Sequence, residues 1–385
     1  MTTKVYDVII VGAGSVGCPA AFFLAAAGIK PLVIDQFASP GQGANKAAIG
    51  GIRATHSHIS KIRIGLKSLD IFSTWQERYG DDLEWYRGGY SFVAYTGREE
   101  QILKNLLVIQ QAHGLNIHWL ERDEFLEVIP ALNPSGLIGG TYSPDDGSAS
   151  PLRAAPAFYA RAVERGAEFH FNERVTGIIT RGGKVVGVRT DRGGYATNTV
   201  INAAGPWARA VARMARQDVP VVPDSHEGGI TEPVARFLEP MVVDIRPTEG
   251  SRNYYFYQHK PGPIVFCITP EPPSVGTDRR ETSLFLPMIA RRMVGLMPRL
   301  ANVRVRRTWR GSYPMTPDGF PVVGRVQGLE GYINAVGMCG QGFMLGPGLA
   351  TYLVKIVQDN LSPEDDEVLA GLTLYRDFVG EEKLK

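Results

Sequence analysis

The opening segment of the chain constrains its fold more than any other feature. Residues 7–14 read Asp-Val-Ile-Ile-Val-Gly-Ala-Gly, and the glycines at positions 12, 14 and 17 have the spacing G-x-G-x-x-G. An apolar strand at 8–11, a helix from Ala20 to Ala27 and a second strand at 31–34 are predicted around these glycines. This order is typical of a βαβ unit that binds a dinucleotide. The segment therefore predicts an α/β fold with a parallel sheet.

Each glycine of this turn has a distinct expected role. Gly12 allows the tight turn, Gly14 lets the backbone approach a pyrophosphate, and Gly17 lets the helix pack on the strand. Free N–H groups at the start of the helix attract phosphates. Asp35 ends the second strand, where its carboxylate can accept hydrogen bonds from ribose hydroxyls. By itself the motif does not say which dinucleotide is bound.

Length and composition limit the classes of protein that this chain can represent. With 385 residues, 44% of them hydrophobic, it is long enough for about two domains with buried cores. Its 41 basic and 39 acidic residues give a net charge of +2, and no basic run follows a phosphate backbone. Nucleic acid is therefore not an expected partner. No signal peptide or membrane span is recognised, so a cytoplasmic location is expected.

Cysteine usage points away from disulfides and metals. Cys18, Cys267 and Cys339 are widely spaced, odd in number and form no C-x-x-C pair. Neither a disulfide framework nor a zinc site is expected, and no metal is assigned. The three residues are interpreted as buried or semi-buried side chains.

The periodicity of apolar residues outlines the rest of the chain. It predicts four further helices, at about 98–113, 153–165, 284–296 and 348–358. Short strands in a β-meander are predicted between 167 and 200, followed by a buried strand that leads into Gly205. Beyond Val219 the composition is rich in Pro, Tyr and Phe, with strand-like runs at 254–257 and 264–269. This shift indicates a second domain that contains a sheet.

Four glycine-rich segments that lie far apart in the sequence indicate one extended ligand. They are residues 12–17, 41–53, 203–207 and 310–346. Each gives up side chains, as a close approach of backbone to ligand requires. A nicotinamide dinucleotide normally needs only the first. In this collinear order the segments resemble the D-amino-acid-oxidase-like flavoproteins, a family that includes glycine oxidase, sarcosine oxidases and dye-linked proline dehydrogenases. The similarity covers essentially the whole chain.

The resemblance implies a fold and a domain arrangement. The expected fold class is α/β, with a Rossmann-like FAD-binding domain of the D-amino-acid oxidase type and a second α+β domain built on a mostly antiparallel sheet. The FAD-binding domain is expected to be discontinuous, formed by residues 1–85, 141–218 and 309–385. Residues 86–140 and 219–308 are expected to form the substrate-binding domain.

The resemblance also implies which residues bind FAD, without a covalent link. The pyrophosphate and ribose contacts would be Gly12, Gly14, Ser15, Val16, Gly17, Asp35 and Gln36. The loop passing the pyrophosphate and the flavin ring would contribute Ala44, Asn45, Gly51, Ile52 and Arg53. The adenine contact and the second diphosphate turn would be Val175, Ala204, Gly205 and Trp207. The walls of the isoalloxazine would be Asp318, Gly340, Gln341, Gly342, Phe343 and Met344. A helix after Gly346 would point its positive end toward the flavin N1/C2=O edge.

The implied activity is oxidation of the C–N bond of a small amino acid or N-alkyl amino acid of the glycine, sarcosine or proline kind. Hydride would pass to flavin N5 and the imine would then hydrolyse. Oxygen or a partner redox subunit would take the electrons, and both homo- and hetero-oligomers are open. Candidate catalytic residues are His56, Tyr255, Tyr313 and Gln341. Further candidates for the substrate carboxylate are Arg252, Tyr254, Tyr257 and His259.

Three departures from the family pattern restrict how FAD is expected to be attached and which substrates are expected. Gly311 stands where monomeric sarcosine oxidases carry the cysteine that binds FAD, so covalent attachment by that route is excluded. Tyr313 occupies the position at which some relatives have an arginine for the substrate carboxylate. The lysine and histidine of a G-H-G-F-K turn are absent from 340–344, which argues against sarcosine itself. The M-T-P-D-G-F-P-V-V-G form resembles β subunits of sarcosine oxidase and proline dehydrogenase.

Two alternatives stay open at this point. An NAD-dependent dehydrogenase would use only the first βαβ unit and would leave the turns between 310 and 346 unexplained. A non-catalytic or regulatory flavoprotein subunit would retain FAD for stability. Cys339 either neighbours the flavin or is an inert turn residue.

Overall fold

The computed structural model describes residues 4–384. Their helices are α1 (Gly17–Ala26), α2 (Ile59–Tyr79), α3 (Gly97–Ala112), α4 (Arg122–Val128), α5 (Pro151–Glu164), α6 (Ala208–Met214), α7 (Phe285–Leu296), α8 (Gly342–Val357) and α9 (Pro363–Ala370). Their strands are β1 (Val8–Val11), β2 (Pro31–Ile34), β3 (Gly51–Ile52), β4 (Tyr90–Ala94), β5 (His118–Glu121), β6 (Gly139–Ser143), β7 (Gly147–Ser148), β8 (Glu168–His170), β9 (Val175–Arg181), β10 (Lys184–Thr190), β11 (Gly194–Ala196), β12 (Val200–Asn202), β13 (Val222–Pro233), β14 (Met241–Asp244), β15 (Ser251–Gln258), β16 (Pro263–Pro270), β17 (Val305–Met315), β18 (Val322–Arg325) and β19 (Tyr332–Val336).

A six-stranded sheet organises the nucleotide-binding half of the molecule. Its strand order is β18-β19-β12-β1-β2-β8, with every pair parallel except β18 and β19. Strand β1 is buried along its whole length and lies between β2 and β12. A strand covered on both faces reads as a continuous apolar run, which explains the sequence Val-Ile-Ile-Val. The glycine turn therefore follows a central strand of the sheet.

An eight-stranded sheet forms the other half. Its order is β17-β13-β16-β15-β14-β4-β6-β5, and only the β14–β4 pair is parallel. One face packs against α4 and α7 around an aromatic and aliphatic core. The pairing of β13 with β17 is long and sets Asp224 opposite Tyr313 and His226 opposite Gly311. The predicted α/β class with a mostly antiparallel second sheet is confirmed.

Several predicted elements need correction. The last long helix begins at Gly342 and not at Gly348, and α1 begins at Gly17 and not at Ala20. Strand β8 does not belong to the predicted meander, because it pairs in parallel with β2 at the edge of the six-stranded sheet. Strands β9, β10 and β11 form the meander by themselves. For α8 and β8 a contact distant in sequence decides the outcome.

The predicted domain boundaries stay a prediction. Strand β6 crosses the boundary placed between residues 140 and 141, and β17 crosses the one placed between 308 and 309. Both strands belong to the eight-stranded sheet. Boundaries set outside these two strands would leave that sheet intact.

Helix packing brings the two ends of the chain together. Helix α1 packs against α5 and α8, and α8 also packs against α2. Gly346 of α8 lies against the Ser15 carbonyl, where an added Cβ would be 1.9 Å from the oxygen. The N-terminal glycine turn and the C-terminal helix thus form one contact, which positions the site described next.

Candidate active site

One large cavity joins all four glycine-rich segments. Its volume is about 850 Å³, and it lies between the carboxyl ends of β1, β2 and β12 and one face of the eight-stranded sheet. Open α/β sheets bind ligands at the carboxyl ends of their strands, and pockets of this size enclose a large cofactor. The predicted cofactor residues that line it are Gly12, Gly14, Ser15, Val16, Asp35, Gln36, Ala44, Asn45, Gly51, Arg53, Val175, Ala204, Gly205, Trp207, Gly340, Gln341, Gly342, Phe343 and Met344.

The glycine turn and Asp35 form one end of the cavity. Gly12 adopts a positive φ of 109°, and a Cβ on it would lie 2.6 Å from the Ala203 carbonyl oxygen. A Cβ on Gly14 would meet nothing within 4 Å, so the turn leaves open space above it. The Ala13 N–H donates to Asp35 Oδ2 at 2.7 Å, and the Phe37 N–H donates to Asp35 Oδ1 at 2.8 Å. The carboxylate therefore braces the turn as well as lining the cavity.

The loop between 41 and 53 is fixed to this turn through Asn45. Ser15 Oγ lies 2.8 Å from Asn45 Oδ1, and Asn45 Nδ2 donates to the Pro151 carbonyl at 2.9 Å. Asn45 is buried and begins a short 3₁₀ turn, Asn45–Ala47. One amide side chain thus links the loop with the starts of α1 and α5.

The third glycine segment closes the same end. Asn202, at the end of β12, is buried and accepts a hydrogen bond from the Ala204 N–H at 3.2 Å while donating to the Ala208 carbonyl at 2.9 Å. Gly205 has a φ of +52°, and the Trp207 ring packs edge-to-face on Phe37. This segment and the glycine turn therefore face each other across neighbouring strands.

The first turn of α8 forms the wall at the other end. Residues 342–344 line the cavity, and no side chain caps the start of the helix. The free N–H groups of such a turn favour negative charge. Gln341 Oε1, just before the helix, is buried and has no hydrogen-bond partner within residues 4–384. Because a buried acceptor is normally paired, a ligand atom is expected to satisfy it.

One face of the eight-stranded sheet supplies polar groups to the cavity. Tyr255 on β15 and Tyr313 on β17 have hydroxyl oxygens 2.9 Å apart, and Cys267 Sγ lies 3.8 Å from the Tyr313 hydroxyl. Burial raises the pKa of both tyrosines well above the ordinary value. The two hydroxyls are therefore neutral donors at neutral pH. Gly340, with φ +79°, lies so close to the Tyr313 ring that a Cβ would be 2.1 Å from Cε2.

Sequence reasoning missed His226 and Asp224. The His226 ring stacks on the Tyr313 ring with centroids 3.7 Å apart, and its Nε2 lies 3.2 Å from Asp224 Oδ2. Both residues line the cavity. Their Asp-x-His spacing on a strand places both side chains on one face, which is the one signal that the sequence offered. The stacking itself depends on the β13–β17 register and has no local signature.

Four of the predicted cofactor-binding and catalytic residues do not line the cavity. Gly17 lies beneath the turn, where a Cβ would be 1.8 Å from the Gly12 carbonyl oxygen, so its role is packing. Ile52 points into the hydrophobic core. Asp318 accepts hydrogen bonds from Arg376 at 2.8 and 3.1 Å and from the Phe320 N–H at 3.0 Å. His56 is fully buried behind Arg53, with Nδ1 3.2 Å from Nη1 of that arginine.

The other candidates for a substrate carboxylate are also mostly committed elsewhere. Tyr254 donates to the Arg292 carbonyl, Tyr257 donates to the Ile49 carbonyl, and His259 lies 3.4 Å from Glu84. Arg252 does line the cavity, but it pairs with Glu271 and lies 3.2 Å from Glu381. Its positive charge is therefore already balanced by carboxylates.

Arg53 meets the C-terminal segment at the cavity wall. Its guanidinium donates to the carbonyls of Thr55 and Leu384 and lies over the Tyr90 ring. Residues 381–384 line the cavity beside it. Within this segment Glu382 forms an ion pair with Lys61 at 3.1 Å, and both side chains are 0% exposed. The segment is therefore anchored in the protein by Glu382 and Leu384, which are buried, while Glu381 and Lys383 are exposed.

With this geometry in place, comparison with known proteins assigns the class. Residues 7–356 match the family described as FAD dependent oxidoreductase (DAO), and the chain belongs to that family. FAD is the cofactor of the family, as predicted.

Individual relatives agree with this assignment. The chain is 26% identical over 405 residues to the hydrogen cyanide synthase subunit HcnC of Pseudomonas aeruginosa, and the match covers 94% of each protein. The structure of this chain resembles that of L-proline dehydrogenase from P. horikoshii, with a TM-score of 0.90 and 28% identity. The match covers 97% of this chain and 98% of the dehydrogenase chain. The structure also resembles glycine oxidase from Geobacillus kaustophilus, with a TM-score of 0.87, 25% identity and coverage of 98% and 100%.

Other relatives are much longer than this chain. The human mitochondrial dimethylglycine dehydrogenase is 26% identical over 376 residues, a match that covers 93% of this chain but 43% of the human protein. The chain thus spans less than half of that relative. Among residues 4–384, no helix has the length and apolar character needed to cross a bilayer.

The residues present fit FAD. The open space above Gly14, the Asp35 carboxylate and the turn at 204–207 would hold the nucleotide and pyrophosphate portion. The free amides at the start of α8 and the unpaired Gln341 Oε1 offer donors and an acceptor for the polar edge of the ring. All four glycine-rich segments meet in one cavity, which an NAD-dependent enzyme using only the first would not require.

Replacing Asp35 by alanine is expected to weaken FAD binding about 10- to 100-fold. The carboxylate both braces the turn and faces the cavity, and a hydrogen bond to a charged group contributes ~1.5–3 kcal/mol. FAD retention during dialysis and the Kd of the reconstituted protein measure the effect. Asp7→Ala is the matched control, because Asp7 accepts a backbone N–H from Lys30 but does not line the cavity. Equal FAD affinities for the two variants would contradict the assignment.

Proposed function

We propose that the protein oxidises the C–N bond of a small amino acid or N-alkyl amino acid, with a proline- or glycine-like compound as the substrate. The observation that carries the proposal is the pair of neutral hydroxyls, Tyr255 and Tyr313, set in the same cavity as the first turn of α8. Amino-acid-oxidising structures with closely similar folds support it. When bound, FAD supplies the two-electron oxidant.

The protein's own residues have two roles at this site. They bind the substrate, and they exclude water. Burial keeps the Tyr255 and Tyr313 hydroxyls protonated, and because one of them donates to the other, the pair has one O–H left to donate to a substrate carboxylate. This neutral donor replaces the cation that the family offers in some members. Phe343, Met344 and Met338 supply an apolar lining beside the two tyrosines. A small, partly apolar amino acid suits this combination of groups better than a strongly charged one.

The electron acceptor and the assembly state belong to the same proposal. Oxygen and a partner redox subunit are the two acceptor classes, and HcnC, a relative of matching length, is itself a subunit of a larger enzyme. We propose that the protein assembles as a homo- or hetero-oligomer. Reduction by substrate without oxygen, followed by reoxidation with either oxygen or an artificial dye, separates the two acceptor classes.

Anaerobic reduction tests the proposed activity directly. The FAD-loaded protein is mixed with glycine, L-proline, D-proline, sarcosine or dimethylglycine, and the flavin absorbance near 450 nm is followed. We expect bleaching by at least one of them, and Tyr313→Phe should raise the substrate concentration required for half-maximal bleaching by about 2- to 12-fold, as one lost hydrogen bond costs ~0.5–1.5 kcal/mol. Intact FAD binding without bleaching by any of these compounds would instead favour the regulatory flavoprotein alternative.

A further inference from the structure

His226 and Asp224 form a buried pair that the proposed function does not yet use. Their exposed fractions are 5% and 6%, and both line the cavity beside Tyr313. His226 Nε2 lies 3.2 Å from Asp224 Oδ2, while Asp224 Oδ1 accepts the Ser225 N–H at 2.7 Å. An ionised carboxylate only accepts hydrogen bonds, so Nε2 carries the proton and Nδ1 keeps its lone pair.

His226 Nδ1 is a candidate acceptor for a hydrogen bond from a ligand. Nδ1 is buried and finds no hydrogen-bond partner among the residues that the structure describes. Buried polar atoms are nearly always paired, so a ligand that donates a hydrogen bond fits this position. The ring cannot turn away freely, because it is stacked on Tyr313 on one side and bonded to Asp224 on the other.

Burial favours the neutral form of the His226 ring. Burial lowers the pKa of His226 and Arg310 acts in the same direction, whereas Asp224 opposes both. The titratable or charged groups that face it are Asp224 on β13, Arg310 and Tyr313 on β17 and, through the Tyr313 hydroxyl, Tyr255 on β15 and Cys267 on β16. A neutral imidazole with a carboxylate behind it is the arrangement that general-base catalysis requires.

The nitrogen of an amino-acid substrate must lose a proton before the substrate can be oxidised. Its nitrogen is an ammonium group at neutral pH, and a nitrogen without a lone pair cannot support removal of hydride from the neighbouring carbon. The proton must therefore leave before oxidation. Within the cavity, a base is needed close to the groups that recognise the carboxylate, and His226 lies against Tyr313.

We infer that His226 accepts the proton of the substrate ammonium group and that Asp224 stabilises the resulting imidazolium. An N–H bond of the ammonium group breaks, its electron pair stays on the substrate nitrogen, and an Nδ1–H bond forms. No oxidant is consumed in this step, and the proton returns to water after the product leaves. The inference rests on the proposed function, since it requires an amino-acid substrate.

The pH dependence of flavin reduction is the first test. With glycine, L-proline or sarcosine as reductant, His226→Gln should reduce the anaerobic reduction rate about 100-fold at pH 7, a typical value for loss of a positioned base. The deficit should shrink as the pH rises and the free-amine fraction of the substrate grows. Asp224→Asn should show a smaller loss in the same direction. Ser225→Ala, on the opposite face of β13, is the matched control and should retain the wild-type profile.

A second readout does not depend on turnover. 2-Aminoisobutyrate has an ammonium group but no α-hydrogen, so it cannot be oxidised at that carbon, and isobutyrate lacks the ammonium group. In protein labelled with ¹⁵N-histidine, the His226 signals are assigned by their loss in His226→Gln. We expect 2-aminoisobutyrate to shift the Nδ1 signal, because this lone pair then accepts a hydrogen bond from the ammonium group, while isobutyrate leaves the signal unshifted.

The two tests separate the inference from the proposed function. Flavin reduction with the same pH profile in wild type and His226→Gln, or an Nδ1 signal that does not shift at the highest soluble 2-aminoisobutyrate concentration, would overturn the role of His226 and leave the proposed function standing. Absence of flavin reduction by every amino acid, with a shift of the Nδ1 signal by 2-aminoisobutyrate, would refute the oxidation and retain the ammonium-binding site.

Discussion

Replacing Glu382 by glutamine should lower the free energy of unfolding by about 3–5 kcal/mol, as expected when one partner of a buried ion pair is removed. The Lys61 ammonium would then be left in the interior with the Gly319 carbonyl, 2.7 Å away, and the face of the Phe320 ring. The hydrogen bonds that Oε1 accepts from the Ser57 and Leu384 N–H groups, at 3.1 and 3.2 Å, would also lose the strength that the negative charge gives them. Urea unfolding at pH 7 measures the change.

The stability difference between wild type and Glu382→Gln depends on pH, and its sign follows from the direction in which the pKa of Glu382 is shifted. Burial opposes ionisation of Glu382, but the charge of the Lys61 ammonium group and the Ser57 N–H hydrogen bond outweigh it and hold the pKa of this carboxyl below its ordinary value. Its stabilising contribution is therefore complete above the pKa of the unfolded chain, about 4.3, and is lost as the pH falls through the lower folded value. The stabilities of wild type and Glu382→Gln should converge in strong acid.

Two control variants make the Glu382 result specific. Glu330→Gln breaks an exposed ion pair of similar length, Lys184 to Glu330 at 2.7 Å, and should cost less than about 1 kcal/mol. The double variant Lys61→Met, Glu382→Leu removes both buried charges and should recover most of the loss. A Glu382→Gln loss no larger than that of Glu330→Gln would show that the pair is not buried in solution.

Gly346→Ala should abolish stable FAD binding and lower the free energy of unfolding by about 3 kcal/mol, the upper end for overpacking. The new methyl carbon would lie 1.9 Å from the Ser15 carbonyl oxygen, so either α8 or the glycine turn must move. Backbone clashes of this kind have no flexible side chain to absorb them. The FAD content per protein, with far-UV circular dichroism to follow the helices, measures both effects.

Another helical glycine provides the comparison for Gly346. A Cβ added to Gly295 in α7 would meet nothing within 4 Å, so Gly295→Ala should leave FAD binding unchanged and gain up to about 1 kcal/mol of stability. Retention of a full complement of FAD by Gly346→Ala would contradict the contact between α8 and the turn.

The predicted start of α8 was wrong, and the packing of its first turns explains why. The segment from Gly342 to Gly348 contains three glycines and Pro347, and by propensity it should not be helical. These residues are required by packing, because side chains at 346 and 348 would collide with the Ser15 and Ile64 carbonyls. A contact between distant parts of the chain thus overrides the local preference. The βαβ unit, in contrast, was predictable because its strands, turn and helix are adjacent in sequence.

The residues of the candidate site also differ in whether a local motif or a distant contact places them there. Gly12, Gly14 and Asp35 belong to one local motif, and their places at the cavity follow from strand ends and turn geometry. His226 and Asp224 become visible only when β13 pairs with β17 and sets the histidine diagonally to Tyr313. His56 shows the opposite case: its sequence position after the glycine loop favoured a role at the site, yet the fold buries it behind Arg53.

The position of β1 between β2 and β12 has a consequence for how the protein is made. A ribosome delivers β1 and β2 together, whereas β12 emerges much later and the first turn of α8 later still. The FAD-binding cavity is therefore incomplete until residues 342–344 have been synthesised. FAD is expected to bind only after the first turn of α8 has left the ribosome, so the βαβ unit alone should not retain the cofactor.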